Sequence, residues 1–382
     1  MITKVILLGG HIQALGLARQ VHKKGLPVTL CVADGYAVAR FSNAVSSTNV
    51  FPSFEQLEEY LLSVADKNAL LFPTSDDYID FLSERSEKLS PFFQLGIPSQ
   101  EIIDIFSNKR RTHSFAEQCG VPHPKSWCPE TMEEVENLSD QIPYPIVLKP
   151  AVMYTFHKQF GKKAYLCKNK EDLLNRCATI AKIYPIKGVL LQEFLSGGAP
   201  TLYSFGVYAE NGVPQAWIMA NRIRQNPMDF GNSTTYAISC NIPEIEASAC
   251  KILQETKYTG LAEIEFMYDA KTGTYKFLEI NMRAWKWHTI SNQLGFGFIT
   301  ELIAHNNGMS IDFRPSDKTV AWVERLTDWS VILKEIIHRR MTLKNVLKSY
   351  RIKHENAVWS WRDPLPALMY VLLSPILYIK RH

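Results

Sequence analysis

The chain has 382 residues, of which 42 are Lys or Arg and 38 are Asp or Glu, so its formal net charge is +4 at pH 7. A chain of this length is expected to form two or three domains. The 46% hydrophobic fraction and the 21% charged fraction exclude a largely disordered protein. The small net charge gives no reason to expect a nucleic-acid partner.

The seven cysteines are scattered along the chain, and none lies in a CxxC pair. An odd number without pairing motifs predicts reduced thiols rather than a disulfide framework. The apolar run at the N-terminus is too short for a signal peptide, and no stretch reaches the roughly 20 apolar residues that a membrane-spanning helix needs. We therefore expect a cytoplasmic protein.

Residues 1–105 have the pattern of an open α/β domain, because short apolar runs flank a segment with helical spacing at 12–23. The apolar runs that predict its strands are residues 4–8, 27–32, 70–72 and 93–96. A strand, a helix and a second strand in this order predict a βαβ unit with parallel strands.

A helix is predicted at 108–119, since Gly120 and two prolines follow it. Strands predominate beyond this helix. The predicted strands are 144–149, 188–192, 203–209, 214–221, 261–268 and 275–281, with further helices at 170–183 and 244–257.

The last two of these strands form a predicted hairpin that carries several acids. Its expected register places Glu265 opposite Glu279 and Glu263 opposite Asn281, all on one face. Like charges opposite each other destabilise a sheet, so a cation is needed to offset them. Mg²⁺ prefers such hard oxygen ligands. The other interpretation is a solvated face whose charges repel only weakly in water.

The two strands of the hairpin resemble the metal-binding hairpin of ATP-grasp enzymes. Their sequences are LAEIEFMYD at 261–269 and FLEINMR at 277–283. The resemblance implies Mg²⁺ binding at the ATP phosphates, with Mn²⁺ as a substitute. The implied metal ligands are Glu265, Glu279 and Asn281, with Glu263 as a possible additional acid.

The same resemblance assigns Arg283 to contact with phosphate or with the activated carboxylate. The family often has Pro between the Asn and the Arg, where this chain has Met282. Arg222 and Arg224 share one face of a strand end, before a stretch at 225–235 that is predicted to be flexible. Arginine pairs suit the bidentate capture of a carboxylate, although they also occur as surface charges.

Residues that resemble the nucleotide pocket of the family occur in the expected order. Lys149 ends an apolar strand, where a buried ammonium group is costly without an anion. Taken alone, Lys149 and Lys109 also fit a solvated strand end and a solvated helix start. The ATP-binding residues that the resemblance implies are Lys109, Lys149, Lys162, Lys163, Gln192, Glu193, Phe194 and Leu195.

Asp76 follows the strand at 70–72, at the carboxyl end of the first sheet. Ligands of open α/β sheets bind at this end, so Asp76 is a further candidate site residue. Its other interpretation is a residue that caps the helix after the strand.

The resemblance covers about residues 1–305. It implies an α/β pre-ATP-grasp domain at 1–105 and a two-part ATP-grasp fold at 106–190 and 191–310. Beyond it, residues 311–382 are predicted to form a basic, partly apolar and helical C-terminal extension. It also implies a ligase that phosphorylates a carboxylate to an acyl phosphate, which an amine then attacks.

Within the superfamily, the double-acid hairpin and the basic tail look most like the D-aspartate-ligase-like branch, and the large subunit of carbamoyl-phosphate synthase is similar too. That branch implies an amino-acid or amino-sugar substrate in the biosynthesis of cell-wall precursors or surface polymers.

Residues 331–382 hold ten Lys or Arg against three Asp or Glu, and they end in an apolar run at 366–379 followed by Lys380 and Arg381. Such a tail can lie in the interface of a membrane beside anionic lipid, which would be the inner face for a cytoplasmic protein. It can equally pack on the body of the protein or on a second subunit in a homodimer. Both interpretations stay open on the sequence.

Two other functions compete with the ligase. Gly9 and Gly10 after a strand, with Asp34 after the next, imitate an NAD(P)-binding oxidoreductase, but the spacing is not GxGxxG. An inactive nucleotide-binding scaffold is the second alternative. The retained acids and Lys149 argue against a loss of activity.

Overall fold

The structure is a computed structural model that describes residues 1–151, 164–229, 231 and 233–381, with side chains through residue 376. Within these residues the strands form sheets of five, seven and four strands. No helix in these ranges is long and apolar enough to cross a membrane.

The five-stranded sheet lies in the first hundred residues and is parallel throughout. Its strands are β1 (Lys4–Leu8), β2 (Val28–Val32), β3 (Ser47–Val50), β4 (Ala69–Pro73) and β5 (Gln94–Leu95). Its helices are α1 (Ile12–Lys23), α2 (Phe54–Ser63), α3 (Asp76–Glu84), α4 (Ser86–Leu89) and α5 (Gln100–Phe106). The strand order is β3-β2-β1-β4-β5. This confirms the predicted parallel α/β opening.

The four-stranded sheet is antiparallel, with the order β6-β9-β7-β8. Its strands are β6 (Ser126–Trp127), β7 (Ile146–Pro150), β8 (Tyr165–Cys167) and β9 (Val189–Glu193). The helices of this region are α6 (Lys109–Gln118), α7 (Met132–Ser139) and α8 (Lys170–Ala181). Apolar side chains of β7, β9, α7 and α8 form its core.

The seven-stranded sheet carries the predicted hairpin at one edge. Its strands are β10 (Leu202–Glu210), β11 (Val213–Asn226), β12 (Ser233–Cys240), β13 (Gly260–Asp269), β14 (Thr274–Asn281), β15 (Ala321–Val323) and β16 (His354–Asn356). The order is β14-β13-β10-β11-β12-β15-β16, and only the last pair is parallel. The remaining helices are α9 (Pro243–Thr256), α10 (Phe298–Asn306), α11 (Arg325–Ile337), α12 (Leu343–Tyr350) and α13 (Leu365–Arg381).

The strands of this sheet extend into the stretch at 225–235 that was predicted to be flexible, because β11 continues to Asn226 and β12 begins at Ser233. Register shifts on both sides of Arg224 break the alternation that would have revealed the strand. The C-terminal extension is helical as predicted, with α11, α12 and α13, and its two short strands β15 and β16 join the seven-stranded sheet.

One hydrophobic core is shared by the first sheet and the C-terminal half of the chain. Side chains of β1, β2 and α1 lie in the same buried cluster as Trp285, Phe298, Trp322 and Tyr370. Polar contacts add to this junction, because Arg19 Nε lies 2.9 Å from Asp363 Oδ2. The carboxyl end of the first sheet is thereby held against the hairpin.

Candidate nucleotide and metal site

The hairpin of β13 and β14 has the predicted register on its acidic half. Glu265 pairs with Glu279 and Glu263 pairs with Asn281. Leu278 is an additional residue on β14, since the next pair joins Phe266 to Phe277. The amide of Asn281 donates to Glu265 at 3.0 Å and to Glu263 at 3.2 Å.

Basic side chains from two other elements neutralise this acidic face. Lys109, the first residue of α6, forms an ion pair with Glu279. Arg222 of β11 binds Glu265, with Nη1 2.6 Å from Oε2. The Lys109 ammonium holds the pKa of Glu279 at about 2. Burial raises the pKa of Glu265 to about 7 even though Arg222 opposes this shift.

Glu263 is held by the indole of Trp287, whose Nε1 donates to Oε1 at 2.8 Å. Trp287 is fully buried, so this contact holds the Glu263 carboxylate from the buried side of the acidic face. Sequence reasoning missed Trp287. A signal was present in the run Trp285-Lys286-Trp287, which places two large aromatic residues two and four positions after Arg283.

Arg283 connects the hairpin to the first sheet. Its Nε and Nη2 lie 2.7 and 3.0 Å from the two carboxylate oxygens of Asp76, the first residue of α3. Its Nη2 also lies 3.4 Å from Asn281 Oδ1. The structure therefore brings Asp76 to the acidic face, as the interpretation of Asp76 as a site residue requires.

Lys149 on β7 interacts electrostatically with two charges of the acidic face, Lys109 and Glu279. Burial and the nearby Lys109 ammonium lower the pKa of Lys149 to about 7. A positive charge in such a place is stabilised by an anion.

The predicted ATP-binding segment at 192–195 begins at the end of β9. Gln192 Nε2 lies 2.9 Å from His113 Nε2 and donates to Ser126 Oγ at 3.3 Å. The Glu193 carboxylate lies 2.8 Å from the ammonium of Lys276 on β14. These contacts tie the four-stranded sheet to α6 and to the hairpin.

The remaining residues of the predicted pocket fall into two groups. Phe194 is half-buried and Leu195 is buried. Lys162 and Lys163 lie outside the described residues. Sequence reasoning missed His113 and Lys276, because a single His on a polar helix and a single Lys on a strand have no distinctive spacing.

Arg224 does not join the acidic face, and its prediction as a partner of Arg222 is wrong. Its Nε and Nη2 each lie 2.8 Å from an oxygen of Asp328 on α11, and its guanidinium lies 4.1 Å from the centre of the Tyr236 ring. Both charged residues are buried, at 2% and 0% exposure. The register shifts around Arg224 turn its side chain away from the direction that simple alternation predicts.

Residues 108–312 match the family model of the carbamoyl-phosphate synthase L chain, ATP binding domain, and this match covers more than half of the chain. The chain belongs to the ATP-grasp family. The D-aspartate ligase of Enterococcus faecium is 25% identical over 298 residues, which are 73% of this chain and 70% of that protein. The C-terminal section of the carbamoyl phosphate synthase large chain of Methanopyrus kandleri is 23% identical over 187 residues, 48% of this chain and 33% of that protein.

Solved structures share the ATP-grasp architecture at low sequence identity. The N5-carboxyaminoimidazole synthetase of Staphylococcus aureus has a TM-score of 0.68 at 14% identity, over 88% of this chain and 86% of that one. The biotin carboxylase domain of the Hydrogenobacter thermophilus 2-oxoglutarate carboxylase has a TM-score of 0.65 at 17% identity, over 82% and 71%. These likenesses confirm the predicted fold class.

The ATP-grasp match also confirms the predicted enzyme class, an ATP-dependent ligase. It favours this class over an NAD(P)-binding oxidoreductase, because the matched segment is an ATP-binding domain and contains the acidic hairpin. The individual roles of the site residues stay predictions.

The acidic face of this ATP-grasp hairpin fits a magnesium ion. The described residues contain no group of three His, Cys, Asp or Glu side chains that could hold a metal by themselves. Mg²⁺ typically takes only one or two carboxylates and completes its shell with water and substrate phosphates. Glu265, Glu279 and the amide oxygen of Asn281 can supply these ligands. Lys109 and Arg222 are paired with the two carboxylates, which shows that positive charge stabilises this face.

Lys149 gives a pH-dependent prediction. Its folded pKa of about 7 lies below the ordinary 10.5, so the side chain is mostly neutral at about pH 8.5. An ATP phosphate beside it favours the charged form and raises its pKa. Binding of ATP at about pH 8.5 is therefore expected to take up about one proton, whereas binding well below pH 7 takes up none at this group. Calorimetry in buffers with different ionisation enthalpies measures this uptake.

The matched variant for that measurement is Lys149→Met, which should bind ATP more weakly and without the proton uptake. An unchanged uptake in this variant would assign the proton to another group and contradict the proposed contact.

Arg224 gives a prediction about stability. Replacing Arg224 with Leu leaves the Asp328 carboxylate buried without its guanidinium partner, which is expected to lower the free energy of unfolding by about 3–5 kcal/mol. Urea denaturation measures this change. Folded Arg224→Leu protein should keep its affinity for ATP and its activity, whereas Arg222→Leu should lose the activity. If Arg224→Leu were stably folded but inactive, Arg224 would have to be counted among the residues of the active site.

Proposed function

We propose that this protein is an ATP- and Mg²⁺-dependent ligase that phosphorylates a carboxylate to an acyl phosphate and couples it to an amine. The observation that carries the proposal is the single face on which Glu265, Glu279 and Asn281 meet Lys109 and Arg283. Metal ligands, a phosphate-binding cation and an anion-binding guanidinium are the groups that phosphoryl transfer to a carboxylate needs.

In the proposed reaction, a carboxylate oxygen attacks the γ-phosphorus of ATP, and ADP leaves. The amine nitrogen then attacks the carbonyl carbon, inorganic phosphate leaves, and the nitrogen loses a proton. Lys109 and Lys149 would neutralise the phosphates. Glu265, Glu279 and Asn281 would hold Mg²⁺, which supplies further charge neutralisation at the phosphates when bound. Arg283 and Arg222 would orient the anionic groups.

The substrate that we propose is an amino acid or an amino sugar used for a cell-wall precursor or another cell-surface polymer. The support is the 25% identity to a D-aspartate ligase over 73% of this chain. We further propose a cytoplasmic protein that forms a homodimer and whose tail contacts the inner face of the membrane. The biotin carboxylase domain of Hydrogenobacter thermophilus is a dimer, which supports the proposed homodimer.

A screen of carboxylate and amine pairs tests the function, with release of phosphate from ATP as the readout. For a pair that reacts, a carboxylate labelled with ¹⁸O should transfer one labelled oxygen to the released phosphate. This transfer distinguishes an acyl phosphate from simple hydrolysis of ATP. Phosphate release that needs no carboxylate, or phosphate without the label, would contradict the proposal.

A further inference from the structure

The outer faces of α11 and α12 carry large apolar side chains that contact solvent. The spacing along α11 is three, four and four residues, which is one stripe of a helix, and the two on α12 are four residues apart. These side chains are 38% to 67% exposed. They are Leu326, Trp329, Leu333, Ile337, Leu343 and Leu347.

The stripe is not required to attach these helices to the protein. The opposite side of α11 is already buried through Val331 and Ile332. The two helices adjoin, since the Trp329 ring stacks on Tyr350 at the end of α12, with the ring centres 5.8 Å apart. The exposed apolar residues therefore belong to one combined surface, which we call the α11–α12 surface.

The exposed charge of this surface is positive. Residues 325–353 contain eight Lys or Arg and two acids, Asp328 and Glu335. Both acids are buried and bound, to Arg224 and Arg340 respectively. The exposed cations around the stripe include Lys334, Arg339, Lys344, Lys348 and Arg351.

We propose that the α11–α12 surface docks onto an anionic lipid bilayer. Apolar side chains that enter the headgroup region, beside cations that contact anionic lipid, are the combination by which an amphipathic helix lies on a membrane. A second copy of the chain fits this surface less well, because a symmetric contact would place cations opposite cations. This surface is distinct from the tail, and its docking does not depend on the chemistry of the ligase.

The test is flotation of the full-length protein with vesicles of phosphatidylcholine alone or mixed with anionic phosphatidylglycerol. We expect binding only to the anionic vesicles, and weaker binding at high salt. The variant Leu347→Gln with Lys348→Gln should bind at least about tenfold more weakly. Its matched control is Lys182→Gln with Ile183→Gln, a second exposed Lys and aliphatic pair, in which Ile183 is 59% exposed against 63% for Leu347. The control should bind as the unmodified protein does.

Four outcomes would overturn the proposal. The first is that the unmodified protein does not bind anionic vesicles, and the second is that the control variant loses as much vesicle binding as Leu347→Gln/Lys348→Gln. The third is that vesicle binding is lost only in the tail variant Leu372→Gln. The fourth is that the variants change the molecular mass of the protein in solution while the unmodified protein does not bind vesicles. The last of these identifies a second copy as the occupant. Thermal unfolding and phosphate release with soluble substrates should be unchanged in the variants. If Leu347→Gln/Lys348→Gln fails to fold, Leu343→Gln with Lys344→Gln replaces it on the same face.

Discussion

Replacing Glu279 with alanine is expected to abolish the effect of magnesium on ATP binding and to lower turnover by about a thousandfold. The reason is that Glu279 supplies one of the two carboxylates proposed to hold the metal, and such a metal stabilises the charge of phosphoryl transfer by several kcal/mol. The same change releases Lys109, which forms an ion pair with Glu279. Binding of ATP without metal should therefore be retained or become tighter.

Isothermal titration with ATP, in the presence and absence of MgCl₂, separates these two effects. Glu279→Gln keeps the size of the side chain and loses only the charge, so it should behave like the alanine variant. Glu244→Ala removes an exposed acid on α9 and should change nothing. If the Glu279→Ala protein showed unchanged magnesium dependence and unchanged turnover, the proposal that this hairpin binds the metal would be contradicted.

Replacing Arg283 with alanine is expected to lower kcat by about 10²–10³-fold while the affinity for ATP changes little. Burial alone would lower the pKa of Arg283, but the Asp76 carboxylate raises it above its ordinary value, so the guanidinium stays charged. A fixed positive charge aimed at a developing anion contributes mainly in the transition state. The loss should accordingly appear in kcat rather than in KM.

Two variants control this experiment. Arg283→Lys keeps the charge without the planar fork, so it should recover only part of the activity. Asp76→Asn keeps Arg283 charged and removes the competing anion, so its kcat should fall far less than that of Arg283→Ala. If Asp76→Asn lost as much activity as Arg283→Ala, Asp76 itself would be needed for the reaction.

The arrangement of the acidic hairpin could be predicted from the sequence because it depends on local rules. The alternation of side chains predicted the shared face of the acids, and a connection centred near Thr272 placed Glu265 opposite Glu279. The bulge at Leu278 lies between the turn and that pair and shifts the register there by one residue, a detail that alternation alone does not predict. The parallel first sheet followed in the same way from apolar runs around a helical segment.

Contacts between distant segments could not be predicted in this way. The direction of Arg224 depends on bulges in β11, and its partner Asp328 lies 104 positions later in the chain. Trp287 under Glu263, and Lys276 beside Glu193, depend likewise on how separate elements pack. Sequence patterns report the face of an element on which a residue lies, but not what covers that face.

The core that unites the first sheet with the C-terminal half bears on how this protein can be rearranged. Because β1 and α1 pack in one cluster with Trp322 and Tyr370, residues from both ends of the chain complete the same interior. A chimera that exchanges the first hundred residues with those of a relative would have to exchange their distant partners as well. A proteolytic cut that separates the first hundred residues from the rest should likewise release no stable fragment, because each piece would expose its side of this interior. In recombination, the first sheet and the C-terminal half should behave as one unit rather than as separable modules.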